Sequence, residues 1–427
     1  MIDTDTFLTR HLIPELHDAL LSARIVNLIG PRQVGKTTLV RDLFDRGKFI
    51  TLDDSATLEA INADPIGQLQ TLIADLDGAP LIIDGAQRSP RLSLAVKRIV
   101  DTDRRKGQFV FTGSSNVFTT ANVADSLAGR MRTLKLWPLT AAECVRQPVS
   151  HLIDWVLQDA PNLKQITASP TQRAEYVDLI LRGGFPEIRN LELRSRQRQY
   201  RDYLDAIIDR DVADIIRIRK TDALRRLIDQ MAVRTGQELN IAGLCKLIQV
   251  RRETVEQYLD VLLRLSMLNQ LGAWSSGEGK REIKNAKFHF VDSGILCALR
   301  RFGENAFDIG AQPEALGSLL ESYLFNELLR SMPLQSKDVR LYHWRSADKR
   351  EIDILIDAGD RLAGIEIKAA ASVSSDDFRH LKWFSTDGPG RNRSFSGIVF
   401  YLGENTLSFG DNCFALPVSA LWGEIDR

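Results

Sequence analysis

The sequence is poor in the residues that build metal clusters and has no stretch long enough to cross a bilayer. It holds only four cysteines, Cys144, Cys245, Cys297 and Cys413, and no two form a Cys-x-x-Cys pair. The six histidines (His11, His17, His151, His289, His343 and His380) are dispersed, which argues against a structural zinc site. No apolar run approaches the ~20 residues of a membrane-spanning helix, so no membrane partner is expected. No signal-peptide pattern opens the chain, and the cytoplasm is the expected compartment. Lysine plus arginine balances aspartate plus glutamate, 56 against 56. With no overall charge to draw the chain to nucleic acid, any such contact must come from local patches. At 427 residues the chain exceeds one hydrophobic core, and two to four domains are expected.

One stretch organises what is present. Gly30-Pro31-Arg32-Gln33-Val34-Gly35-Lys36-Thr37 satisfies G-x-x-x-x-G-K-[ST], and Thr38 continues it. The apolar run Ile25–Ile29 before it reads as a buried strand, and Thr38–Phe44 after it reads as a helix. In that frame backbone N–H groups wrap phosphates at a helix N-terminus, Lys36 reaches the β- and γ-phosphates, and Thr37 holds Mg²⁺. The glycines let the backbone pass close to the anion. ATP with Mg²⁺ is the expected ligand.

The next apolar runs extend this pattern. Phe49–Leu52 reads as a second strand, ending at Asp53-Asp54. Leu81-Ile82-Ile83-Asp84 is a third, whose terminal carboxylate occupies the Walker B position and is expected to help hold Mg²⁺. Phe109–Ser115 is a fourth, ending in hydroxyls, with Ser114 where a γ-phosphate sensor belongs. Strands alternating with helices imply a parallel sheet with its ligand at the strands' C-terminal ends.

These residues carry a resemblance. GPRQVGKTT, Leu52-Asp53-Asp54, the LIID…Q strand, FTGSSN, Ser126–Arg130, Gly183-Gly184-Phe185-Pro186-Glu187 and the Tyr203…Asp209-Arg210-Asp211-Val212 segment resemble AAA-type ATPases that carry a DUF4143 C-terminal region. The resemblance runs nearly end to end. It implies Asp-Glu at the Walker B tip, whereas this chain has Asp84-Gly85, so the carboxylate that orients the attacking water is missing; nearby Gln87 could position a water without acting as a base. Arg130 has two readings, an arginine finger or sensor (for its own nucleotide or that of a neighbouring subunit in a homo-oligomer) or a surface ion pair. Lys135 reads as part of a solvated face.

From Ala141 to about Lys220 the chain reads as a helical lid over the nucleotide. Its series Arg194, Arg196, Arg198 and Arg201 reads as a solvated helix face, with nucleic-acid contact as the alternative. Ile241–Leu247, a turn, Arg251–Leu265 and two strands, Leu268–Trp274 and Lys287–Val291, then give a winged-helix pattern. In a DNA reader Arg251, Arg252, Thr254 and Gln257 would face the major groove, and Lys280, Arg281 and Lys284 the wing. A protein–protein spacer is the alternative.

The last part reads as a second α/β module. Leu319–Leu329 is a helix bearing Glu321. Glu351–Ile356 alternates, with Ile352, Ile354 and Ile356 on one face and Glu351, Asp353 and Leu355 on the other. After a turn, Leu362–Lys368 sets Glu366 and Lys368 on one face. A hairpin placing Asp353 beside Glu366-Ile367-Lys368, backed by Glu321, resembles the PD-(D/E)XK nuclease core. That resemblance implies Asp353, Glu366 and the Ile367 carbonyl as ligands for Mg²⁺ or Mn²⁺, Glu321 completing the shell, and Lys368 balancing charge on the phosphorane. Trp344 is expected to pack.

The expected fold class is therefore α/β. It comprises a P-loop ATPase domain over 1–140, a helical lid over 141–220, a winged helix over 221–305 and a PD-(D/E)XK-like domain over 306–427. The leading functional expectation is an ATPase controlling a metal-dependent nuclease-like effector that acts on DNA or RNA. The alternatives are an ATP-binding switch with slow or absent hydrolysis and a non-catalytic C-terminal domain, and a structural oligomer assembled by ATP.

Overall fold

The computed structural model describes residues 8–44, 47–113, 127–212, 221–275, 286–307 and 313–426. They fall into two compact units, Arg10–Pro138 with Arg264–Ser266, and Leu139–Leu263 with Met267 onward.

In the smaller unit, helix α1 (Ile13–Ser22) leads into five strands, β1 (Ile25–Ile29), β2 (Lys48–Thr51), β3 (Leu81–Asp84), β4 (Phe109–Gly113) and β5 (Met131–Lys135). All pair in parallel, in the order β2-β3-β4-β1-β5. Parallel strands need crossover helices on both faces, which explains why β1 and β4 are apolar almost throughout rather than alternating. Helices α2 (Lys36–Leu43), α3 (Ser55–Ala63), α4 (Pro65–Ala74) and α5 (Leu92–Thr102) make those crossovers. On α5, Leu92, Ala95, Val96 and Val100 recur at helical spacing and are buried with Ile25, Ile83, Phe109 and Phe111. Asp54 caps α3 by accepting from the Thr57 amide at 2.9 Å, which gives one carboxylate of the Leu52-Asp53-Asp54 run a structural task. After β1 the chain goes out to β2, returns through β3 to β4, and then skips over β1 to β5. That reversal leaves a crevice at the C-terminal end of β1.

The larger unit holds a short antiparallel pair, β6 (Ile166–Thr167) with Glu424–Ile425, and an eight-stranded mixed sheet in the order β13-β14-β12-β11-β10-β9-β7-β8. Its strands are β7 (Leu268–Ala273), β8 (Lys287–Phe290), β9 (Arg340–Arg345), β10 (Glu351–Asp357), β11 (Arg361–Lys368), β12 (Ser394–Tyr401), β13 (Leu407–Ser408) and β14 (Cys413–Pro417). Helix Ile241–Ile248, a turn with Gln249 at φ 56°, helix Arg252–Arg264 and the β7–β8 hairpin stand where the sequence pattern put them. The hairpin is not a separate wing, however. Gly272 and Ala273 of β7 pair in parallel with Tyr342 and His343 of β9, so the hairpin and the C-terminal strands form one sheet. Lys280, Arg281 and Lys284 lie outside the described residues.

The stretch expected as a lid folds within this larger unit. Tyr176 meets Trp422 edge-on at 5.9 Å. The Gly183-Gly184 motif is fixed by Asp292, whose carboxylate accepts from the Gly184 amide at 2.7 Å, the Gly294 amide at 2.9 Å and the Tyr200 hydroxyl at 3.2 Å. A Cβ at Gly183, which has φ 66°, would overlap that carboxylate. The arginine series is not wholly solvated: Arg194, Arg198 and Arg201 are exposed, but Arg196 is buried and donates to the Arg189 and Leu191 carbonyls. Burial of a guanidinium requires such acceptors, and the short turn before the helix supplies them.

The strict alternation expected along β10 is also broken. Ile352 pairs with Trp344 and Leu355 with Tyr342, so three steps on β10 match two on β9. This is a β-bulge at Asp353-Ile354, and it returns Leu355 to the buried cluster that holds Ile352. Trp344 packs, against Trp383 and Phe384.

Candidate functional site

The first site is the loop between β1 and α2. Gly30 has φ 148° and Gly35 φ 94°, and a Cβ on Gly30 would run into the Leu136 carbonyl just after β5. Gln33 also takes a left-handed conformation, φ 61°. Such turns aim backbone N–H groups inward to form an anion-binding nest. Pro31 and Val34 are buried and Arg32 is exposed; Thr37 is half-buried in the first turn of α2, and Thr38 is exposed. Lys36 folds over the loop, its Nζ donating to the Gly30 carbonyl at 2.9 Å and the Pro31 carbonyl at 2.6 Å. Burial lowers its pKa to about 8, against the opposing pull of Asp84. Asp84, at the tip of β3, accepts from the Thr112 hydroxyl on β4. Ser114 lies outside the described residues.

Two basic residues at this edge carry roles that the sequence did not disclose. Arg10 is buried and bridges the loop to the end of β5, donating to the Val34 carbonyl at 2.8 Å and the Trp137 carbonyl at 2.7 Å. Lys135, expected on a solvated face, instead lies over the Trp137 ring at 3.8 Å. Desolvation lowers its pKa to about 8. It is level with Ile29, the last residue before the loop. Alternation along β5 does not reveal this, because the covering Trp137 follows the strand's end.

Arg130 stands at the opposite, N-terminal end of these strands. Its carbonyl accepts from the Ile25 amide at the start of β1, and its side chain grips Asp101 at 2.5 and 2.9 Å. In this arrangement the ion pair with Asp101 occupies its side chain, and the β1–β5 register sets it away from the P-loop of its own chain. Gly85 has φ 72°, a conformation suited to glycine, and a Cβ there would stand 3.6 Å from an Asp53 carboxylate oxygen. Asp53 itself pairs with Arg88 at 2.6 Å. Gln87 is exposed.

The second site lies in the larger unit. The β10–β11 register pairs Ile354 with Ile365, so one further step brings Asp353 level with Glu366. Asp353 accepts from the Ile367 amide at 2.9 Å. Glu366 is 7 % exposed, and its Oε1 is buried without a hydrogen-bond partner. Burial, reinforced by Asp353, pushes the Glu366 carboxyl well above the usual carboxylate range. Lys368 pairs with Asp377 at 3.3 Å. Glu321 joins this group through a residue the sequence did not single out. Lys287, the first residue of β8, donates to Glu321 Oε1 at 2.8 Å, and both side chains are nearly buried, at 9 % and 13 % exposure. Burial lowers the Lys287 pKa, but Glu321 and Asp353 more than offset it and raise it above the usual lysine value. Burial pushes the Glu321 carboxyl up while Lys287 draws it back. Gly236, at φ 73°, leaves the space in which the Glu321 carboxylate sits.

Comparison with known proteins follows this division. The AAA domain family matches residues 22–145, and the family described as a domain of unknown function, DUF4143, matches 316–421. This chain carries an AAA-type ATPase domain and a C-terminal DUF4143 region. A further domain of unknown function, DUF8612, matches 173–306, across the boundary expected near 220. An uncharacterized protein of Mycobacterium tuberculosis is 28% identical over 423 residues, 98% of this chain and 86% of that protein. Another, from Haemophilus influenzae, is 25% identical over 286 residues, covering 64% of this chain and 62% of that one. Among solved structures, a Walker-type ATPase of Pyrococcus abyssi is 14% identical with a TM-score of 0.44, covering 70% of this chain and 97% of that one.

An AAA domain implies nucleotide binding, and the loop fits ATP: the Gly30 cradle excludes a side chain, and Lys36 uses its ammonium on two loop carbonyls that phosphate oxygens can replace. In the DUF4143 region, among the described residues, no three His, Cys, Asp or Glu side chains are grouped ready to hold a metal ion. The partnerless Glu366 Oε1 beside Asp353 is nonetheless the donor chemistry that a hard divalent cation takes. No described helix is long and apolar enough to cross a membrane.

Proposed function

We propose that the AAA-type ATPase domain of this chain controls a metal-dependent, nuclease-like site in its DUF4143 region. The observation that carries this reading is the gathering of Asp353, Glu366 and Lys368 on the β10–β11 hairpin, with one Glu366 oxygen buried and unpartnered. Burying a carboxyl without a partner is costly because its desolvation is not returned, and a bound cation would return it.

At the P-loop, Lys36 trades the Gly30 and Pro31 carbonyls for phosphate oxygens, and Thr37 and Asp84 are the Mg²⁺-holding residues. Bound Mg-ATP supplies the phosphoanhydride whose cleavage would drive a change of state. In the DUF4143 region Asp353 and Glu366, with the Ile367 carbonyl, would hold Mg²⁺ or Mn²⁺. That cation supplies Lewis-acid polarisation of a phosphodiester. Lys368, released from Asp377, is placed to offset charge on the scissile phosphate. DNA or RNA would approach across the winged-helix-like segment, where Arg251 and Gln257 are exposed and Arg252 pairs with Glu256 at 2.7 Å.

The test is a cleavage panel of single- and double-stranded DNA and RNA, with Mg²⁺ or Mn²⁺, with and without ATP. Cleavage that disappears in Asp353→Asn and Lys368→Ala supports the reading; no cleavage under any condition overturns it. Two observations favour a second reading, an ATP-binding switch without catalysis at either site. Gly85 offers no carboxylate to the attacking water, and an ammonium already stands among the DUF4143 carboxylates. ATP binding without phosphate release, together with nucleic-acid binding without cleavage, would establish it.

A further inference from the structure

The carboxylates of the DUF4143 region already have a cation among them, and it comes from outside that region. Lys287 opens β8, 66 positions before Asp353 in the chain, and belongs to the hairpin that the sequence assigned to a different domain. Its Nζ lies 2.8 Å from Glu321 Oε1. Asp353 and Glu351 act on it electrostatically as well, so the ammonium faces carboxylates from the Glu321 helix and from β10. Gly236 closes the other side of Glu321, and the backbone bridge between Glu238 and Lys287 fixes where β8 begins. Glu366 Oε1 is the group that this arrangement leaves unsatisfied.

We propose that Lys287 is a tethered counter-cation that competes with a divalent metal for the Glu321–Asp353–Glu366 cluster, so that metal loading requires the β7–β8 hairpin to give up this contact. The inference rests on the reading of that cluster as a metal site and names how the site is regulated. Its physical basis is charge. An ammonium within a largely buried group of carboxylates lowers the negative potential that attracts a dication, and it occupies an oxygen of Glu321 that would otherwise complete the shell. Because Lys287 sits on the hairpin, whatever shifts β8 changes metal affinity, and metal binding changes the position of β8 by the same coupling.

The test is Mn²⁺ titration of the nucleotide-free full-length chain, with free Mn²⁺ read by electron paramagnetic resonance and each variant's folding checked by circular dichroism. Binding that survives Asp353→Asn is assigned to the P-loop edge and subtracted. Lys287→Gln is expected to bind Mn²⁺ at least about tenfold tighter than the unmodified chain, and Lys287→Arg, which keeps the charge, no more than about twofold tighter. Should Lys287→Gln fail to fold because Glu321 is left unpaired, the pair Glu321→Gln and Glu321→Gln/Lys287→Met replaces it; the double variant must then bind Mn²⁺ tighter than the single one. Equal or weaker binding after removal of the Lys287 charge overturns the inference, while measurable wild-type binding leaves the metal-site reading standing. If neither the wild type nor any variant lacking Lys287 binds Mn²⁺ in a manner that depends on Asp353, the metal-site reading fails and takes the inference with it.

Discussion

The two sites solve opposite electrostatic problems. The P-loop edge is a basic cradle for an anion. Its lysine donates to carbonyls of its own loop, and the loop itself is one consecutive stretch, with Arg10 and Asp84 brought up from outside it. The DUF4143 cluster is rich in carboxylates, and its charges come from separate elements: Lys287, Glu321, Asp353, Glu366 and Asp377. A site made by one turn needs only a local conformation, so its specification is short and dense. A site made by many segments depends on a correct sheet order and on a bulge, and its electrostatic balance is settled only when distant strands meet.

The comparison can be broken first at its strongest point. Lys36→Met should weaken ATP binding by about 10²-fold or more, the scale of losing charge-assisted hydrogen bonds to phosphate, while leaving Mn²⁺ binding at the DUF4143 cluster unchanged. Isothermal calorimetry with ATP on the full chain reads this directly; a variant that binds as tightly as the original would remove the P-loop from the account.

Gly85→Glu asks whether one missing carboxylate limits the AAA domain. It should speed phosphate release by about 10²-fold, the lower end of general-base contributions. It should also destabilise the domain by about 1–2 kcal/mol, because residue 85 is held in a left-handed conformation. A stopped assay for phosphate and a thermal melt give both numbers. Unchanged turnover would mean that the attacking water is positioned from elsewhere, with exposed Gln87 the next residue to vary.

Glu366→Gln sharpens the contrast from the other side. In EDTA it should stabilise the larger unit by about 1 kcal/mol, since it removes a buried, unpartnered carboxyl, and it should abolish Asp353-dependent Mn²⁺ binding. Loss of stability in differential scanning calorimetry would show that Glu366 is a structural anchor instead.

The smallest effect concerns protons. Burial holds Lys36 at about 8, below the unfolded value near 10.5. Between those values the folded nucleotide-free domain binds fewer protons than the unfolded chain, so this lysine's contribution to stability rises with pH across that window. ATP phosphates favour the charged form, so ATP binding at pH 8.5 should take up a fraction of a proton. Calorimetry in two buffers of different ionisation enthalpy measures it. Lys36→Met should lose most of the uptake, and any remainder belongs to Lys135, which burial also holds at about 8.

The same contrast explains what the sequence disclosed. Gly30 to Thr37, Asp84 at its strand tip, and the Glu366/Lys368 parity were legible because each depends on neighbours one to five residues away. Strands β1 to β4 and β7 to β11 were legible for the same reason, whereas β12 to β14 were not singled out. Lys287 was not, because nothing in Lys287-Phe288-His289-Phe290 announces that a strand 50 residues upstream of β9's start will join β9's sheet. The bulge at Asp353-Ile354 was hidden by a pattern that reads as unbroken alternation. Arg10 and Lys135 were missed because their partners are backbone carbonyls and a ring face, which have no signature in spacing. Arg130 kept two readings in the sequence because a strand's start and end look alike until the register is known.

One feature of the larger unit bears on time rather than shape. β11 and β12 share a ladder of eight residue pairs, whereas β7 meets β9 through Gly272 and Ala273 alone, extended by the Trp274 amide donating to the His343 carbonyl at 2.7 Å. A two-residue seam opens far more often than an eight-residue ladder. In deuterated water the Trp274 amide should therefore exchange well ahead of those in the middle of β11. Although continuous in space, the sheet is built to part at this seam, and the hairpin that carries Lys287 is the block on its far side.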